Sequence, residues 1–149
     1  MRAGHYAVLD GTEYEALVIA DGRWIFLPTD APRPEGWKLD ATRRRWSKRV
    51  ERDNISSMCH VTTLAMLGDV EVRVNRLDPV EHTAYVMAKN PLYTGINHSD
   101  APSPHPLLSV TLDPPYSIEW TGTVAWAALT DVHELVSQVD PLTGDSAPD

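Results

Sequence analysis

The chain has 149 residues, room for one domain of ordinary size or two very small ones. Hydrophobic residues make up 42% and charged residues 23%, the balance of a folded globule, and no apolar run approaches the roughly 18 residues of a membrane-spanning helix. The net charge is −8, yet Arg33 to Arg52 holds eight of the thirteen basic residues against three acidic ones, a local +5 that leaves −13 for the rest.

The first residues, Met1-Arg2-Ala3-Gly4-His5-Tyr6, lack the apolar stretch of a signal peptide, and a cytoplasmic protein is expected. His5 to Leu9 puts Tyr6 and Val8 on one face of a strand. Asp10-Gly11 is a strong two-residue hairpin signal, and Glu13 to Ala20 forms the return strand. Asp21-Gly22 predicts a second hairpin, with Arg23 to Leu27 as the third strand. Pro28, Pro32 and Pro34 impose a loop. Arg44 to Val50 reads as a strand or the start of a short helix. Met58 to Met66 is apolar and β-branched enough for a strand, which Gly68 breaks. Asp69 to Val74 alternates with period two, and Glu81 to Ala88 is its expected partner. Asn90 to Pro106 is proline-rich and reads as a long loop. Leu107 to Leu112 and Ile118 to Trp126 are strand candidates, Ala127 to Val139 reads as a short helix or turn, and Pro141 to Asp149 as a disordered tail.

Two stretches recur. Glu13-Tyr14-Glu15-Ala16-Leu17-Val18 is echoed by Glu81-His82-Thr83-Ala84-Tyr85-Val86. The pattern of Trp46, a hydroxyl residue, two variable positions and Val50 is echoed from Trp120 to Val124, and continues with Ile55 and Met58 against Leu129 and Val132. The expected fold is therefore all-β, mainly strands with at most one or two short helices. It is built as two duplicated SH3-like or small open-barrel units packed together, the first over 1–67 and a homologous second over 68–140, followed by the tail at 141–149. Units of this size bury little core alone. Trp46 and Trp120 are expected to be core residues of the two.

Catalytic chemistry finds little support. Cys59 is the single cysteine, so no internal disulfide forms. Its neighbour His60 would point to the opposite face of a strand, which separates thiol from imidazole. No GxSxG nucleophile motif, HExxH metal motif or glycine-rich phosphate loop is present. His98, Asp100 and His105 share one loop and make at most a weak metal site. No catalytic residue, metal or cofactor is expected.

The charge pattern is more informative. Thr42 to Arg49 combines Arg43, Arg44, Arg45, Lys48 and Arg49 with Trp46. Arginine on phosphate with tryptophan on a base would make a nucleic-acid module. The same residues also fit a solvated strand with a core tryptophan, or an arginine-rich protein interface. Beyond Lys89 there is no Lys or Arg at all, while eight acidic residues follow. Asp100, Asp113 and Glu119, with the loop from Pro91 to Pro106, can imitate a polyanion and enter a basic cleft. Tyr93, His98 and Leu107 would be the anchors. An acidic body repels nucleic acid, so a protein partner is favoured.

Gly4-His5-Tyr6, the Glu13-Tyr14-Glu15-Ala16 strand, Asp21-Gly22-Arg23, Gly36-Trp37 and the segment from Trp46 to Val50 resemble the tandem all-β immunity proteins of actinobacterial polymorphic toxin systems. The resemblance implies a non-enzymatic protein that binds a cognate secreted toxin, such as a nuclease or an NAD-consuming enzyme, and neutralises it by occluding the active site. It implies no cofactor and no membrane partner. The expected contact residues are Tyr93, His98, Asp100 and Asp113 on the acidic side, with Arg44 and Arg45 on the basic stripe as the competing surface. A small basic-stripe nucleic-acid-binding β module is the alternative function.

Overall fold

A computed structural model describes residues 1–20, 22–89, 103–113 and 117–141. The chain is all-β, with two single-turn 3₁₀ segments and no α-helix among the described residues. Among the described residues no helix is long and apolar enough to cross a membrane. Its contacts divide it into two compact units. One comprises Gly4–Val61 with the described residues from Leu135 on; the other comprises Met1–Ala3 with the described part of Thr62–Glu134. They are called here the N-terminal and central units.

In the N-terminal unit, β1 (Gly4–Leu9) and β2 (Thr12–Ile19) are joined by Asp10 and Gly11. Both turn residues take left-handed φ, +49° and +80°, which lets a two-residue turn follow the twist of its strands. β3 (Gly22–Pro28), β4 (Lys38–Asp40), β5 (Arg45–Val50), a 3₁₀ turn η1 (Arg52–Asn54) and β6 (Ser57–Leu67) follow. The strand order is β4-β5-β3-β2-β1-β6, every neighbour antiparallel. Alternation sends Ala7, Ala16, Ile25, Val50 and Met58 into one core with Trp37, Ile55 and Val139. Trp46 packs against its margin, half-buried, and its Nε1–H donates to the Ala31 carbonyl at 2.8 Å. Arg23 is buried as well, and its Nε–H donates to the Pro141 carbonyl at 2.9 Å.

The central unit takes over the second half of β6 and adds β7 (Val70–Asp78), β8 (Thr83–Lys89), β9 (Ser109–Asp113), β10 (Ser117–Ala125), a 3₁₀ turn η2 (Trp126–Ala128) and β11 (Leu129–Val139). Its order is β6-β7-β8-β10-β9, with β11 pairing β6. The core gathers Ala65, Leu67, Val72, Val74, Val86, Leu108, Trp120, Val124 and Leu129.

Within each unit the order is therefore first, second, third, fifth, fourth strand. A 3₁₀ turn then leads to a sixth strand that pairs with the first. The rungs correspond too. Ala16 faces Ile25, which faces Lys48; Val74 faces Val86, which faces Gly122. Stepping along the fifth strands from that rung sets Trp46 against Trp120 and Val50 against Val124, the positions at which the sequence echoes itself. The turns η1 and η2 follow at the same spacing, each closed by a buried aliphatic residue, Ile55 and Leu129. The other echo falls differently: Glu13–Val18 lies on a second strand, β2, and the echo from Glu81 runs into a third strand, β8. By topology the counterpart of β2 is β7.

Two further expectations change. Ala127 to Val139 is a strand preceded by a 3₁₀ turn, not a short helix. Its apolar residues recur at near-helical spacing, but pairing with β6 decides the conformation and leaves Val132, Leu135 and Val136 exposed. The short edge strand β4 lies in a stretch that the prolines mark only as loop. Of the expected tail, residues 142–149 lie outside the described residues.

His5 and His60 face each other across β1 and β6, their rings 4.8 Å apart and edge to face. Burial, reinforced by the charge of His60, holds His5 below its ordinary value of 6.5. The unfolded chain thus takes up a proton that the folded chain resists, so this contribution to stability is complete above 6.5 and is lost as pH falls through it. Thermal melts should show a lower Tm just below pH 6.5 than just above, and His5→Gln should flatten that step. Trp120→Ala should cost about 3–5 kcal/mol in urea denaturation, because an indole only 3% exposed leaves a cavity.

Candidate functional site

Three of the expected contact residues, Tyr93, His98 and Asp100, lie outside the described residues. Asp113 ends β9, in register with Ser117 of β10. Arg44 is exposed in the turn before β5, with φ at +55°. Arg45 is the correction. It is 5% exposed, its Nε–H donates to Glu15 at 3.3 Å, and its Nη1 donates to the carbonyls of Arg43 and Arg44, each at 3.1 Å. An arginine spent on closing the β5 turn has no guanidinium left to offer a partner. Sequence alone shows a run of three arginines; only the pairing of β5 with β3 decides which of them turns inward.

Cys59 is buried and faces Tyr6 in the β1–β6 register, whereas His60 faces His5, so thiol and imidazole stand on opposite faces. Of the weak metal set, His98 and Asp100 are outside the described residues, and His105 accepts the Leu107 N–H on Nδ1 at 3.0 Å. Among the described residues no three His, Cys, Asp or Glu side chains gather as metal ligands.

What the N-terminal unit does assemble is a shallow, open hollow of about 500 Å³ on β3, β4 and β5, lined by Trp24, Lys38, Leu39, Asp40, Ser47, Lys48 and Arg49 among others. Register builds it. Trp24 stands opposite Arg49, and Lys38 stands opposite Ser47, which itself faces Phe26. These positions share the face turned away from Ile25 and the core. Gly22 makes room: a Cβ there would meet Trp24 Nε1 at 3.3 Å and Arg49 Nε at 3.6 Å.

The charges in this hollow are unequal in their freedom. Asp40 accepts the Arg43 backbone N–H at 3.0 Å and its Nη1 at 2.9 Å. Those bonds, the backbone one foremost, hold its carboxyl below the usual range and keep it ionised. Arg43 also reaches over the Phe26 ring at 5.8 Å. By contrast Lys38, Lys48 and Arg49 are exposed and have no ion-pair partner among the described residues. Leu39 adds an apolar element, 57% exposed.

The corresponding place in the central unit is different. The counterpart of Trp24 is Tyr85, and the Arg76 guanidinium lies over its ring at 4.8 Å. Arg76 reaches that position through the bulge between Val74 and Arg76. Where the N-terminal unit has Lys38, Lys48 and Arg49, the matching rungs carry Ser109, Gly122 and Thr123. One aromatic is capped by an arginine from within the chain; the other borders an open hollow with Lys38 and Arg49 on its face.

Sequence reasoning counted Lys38, Lys48 and Arg49 in the basic segment from Arg33 to Arg52 but missed Trp24, which meets Arg49 only through pairing. No protein-family model, curated protein or solved structure matches this chain. Arg45→Met should destabilise the fold by about 1–3 kcal/mol in urea denaturation, by stranding two carbonyls and Glu15. Lys48→Ala, exposed and unpaired, should stay within about 0.5 kcal/mol.

Proposed function

We propose that this chain is an immunity protein, made of two copies of one small β unit, that binds a cognate secreted toxin in the cytoplasm and neutralises it by occluding the active site. The observation that carries the reading is the separation of charge. In a chain of net charge −8, one face of the N-terminal unit presents Lys38 and Arg49 without ion-pair partners among the described residues. Cations left unsatisfied within a chain are available for a partner and speed its capture. The shared strand order and the matching rungs support the two copies. The resemblance read from Gly4 to Val50 supports the class of partner. The acidic loop with Tyr93, His98, Asp100 and Asp113 is a second candidate for contact with the toxin.

The nucleic-acid alternative keeps exposed cations at Arg43, Arg44, Lys48 and Arg49, but Trp46 is held by Ala31 and Arg45 is buried against Glu15, and the net charge of −8 favours a protein partner. Co-expression with candidate secreted toxins, beginning with any that is encoded beside this gene, tests the reading. The expected result is protected cells and a stoichiometric complex of nanomolar or tighter affinity. Undiminished toxicity with no complex overturns it.

A further inference from the structure

Resting on the reading of this chain as a binding protein, we propose that the hollow bordered by Trp24 on the N-terminal unit is its docking site, and that the occupant is an acidic, partly apolar segment of a protein partner. The internal comparison carries the inference furthest. Two units of the same strand order place an aromatic ring at the same rung of the third strand. At Tyr85 the position is closed, because Arg76 lies over the ring. At Trp24 the strand partner on β2 is Leu17, where the other unit supplies Arg76, and the ring borders a hollow of about 500 Å³. At the rungs where the N-terminal unit carries Lys38 and Arg49 the central unit carries Ser109 and Thr123, and its own cation, Arg76, is spent on the ring. Lys38 and Arg49, without ion-pair partners among the described residues beside an uncapped ring, are what the N-terminal unit adds to the shared architecture.

The chemistry of the occupant follows from these side chains. Arg49 and Lys38 share the outer face with Trp24 and call for carboxylates or phosphates. Asp40 does not compete for them, being held by Arg43. Trp24, on the same face as these cations, calls for an apolar side chain beside the anions, which a peptide offers and a phosphodiester backbone does not. Tryptophan flanked by arginine is also the composition of interface centres. A nucleic-acid strand would have to run on past the hollow over a body whose remaining charge is −13 outside 33–52. A local acidic patch on a protein meets the cations without that repulsion.

The test uses the full chain and three probes: a Glu-Leu-Glu-Glu-Leu-Glu peptide, oligothymidylate and inorganic phosphate. The Trp24 indole N–H resonance, assigned by its loss in Trp24→Phe, reports occupancy. Saturable shifts of that resonance with the peptide are expected, weakened about tenfold in Arg49→Glu and in Lys38→Glu. Arg73→Glu, exposed in the central unit with the same change of charge, should leave them unaltered. Peptide shifts that bypass Trp24, or equal weakening by Arg73→Glu, overturn the proposal. So does oligothymidylate or phosphate binding there more tightly than the peptide. With the toxin in hand the two readings separate. If Arg49→Glu and Trp24→Ala still protect cells fully, the hollow is not the site although the immunity reading stands. If the peptide binds at Trp24 but no toxin is neutralised, the site stands and the immunity reading fails.

Discussion

Side chains on a strand alternate between faces, so a slip of one residue between β3 and β5 would expose Ile25 and bury Trp24. The observed register holds Ile25 in the core opposite Lys48 and leaves Trp24 outside, opposite Arg49. Much else in the N-terminal unit depends on this pairing. It turns Arg45 inward to close the turn with Glu15, and it lets β4 add Lys38 at the edge. Burial of Ile25, Val50 and Ala16 on one face specifies the register, because the alternative would put Arg49 and Trp24 into the core.

The central unit repeats the architecture with other side chains. Its third and fifth strands hold Val86 and Trp120 in a core as β3 and β5 hold Ile25 and Val50, and its 3₁₀ turn is closed by Leu129 as the first is by Ile55. The outer faces are where the units diverge: in one Arg76 caps the third-strand aromatic, in the other Trp24 borders an open hollow beside Arg49. A binding role is argued from that difference rather than from the fold.

Much of the β structure was legible in the sequence. Asp10-Gly11 announces its hairpin by chemistry, and the alternation from Asp69 to Val74 announces β7 by period. The likeness of Trp46 to Trp120 was legible because each is followed four residues on by a buried valine, Val50 or Val124, on the same face of a fifth strand. The likeness of Glu13–Val18 to Glu81–Val86 misled, since any two half-buried strands with small residues look alike over six positions. β11 was misread because Leu129, Val132, Val136 and Val139 carry a helical spacing, while the hydrogen bonds offered by β6 lie far away in the chain. The hollow was invisible for the same reason: Trp24, Lys38 and Arg49 are separated in sequence and become neighbours only through two strand pairings. Charge counting located the basic segment but could not sort Arg45, committed inside, from Arg49, left outside.

The most direct measurement of the central claim is amide hydrogen exchange on the full chain, alone and in complex with the protein partner proposed for it. The account predicts that protection on binding concentrates in β3, β4 and β5, around Trp24, Lys38 and Arg49. Protection confined to residues 90–113, with β3 to β5 exchanging as in the free protein, would contradict it and assign the interface to the acidic loop.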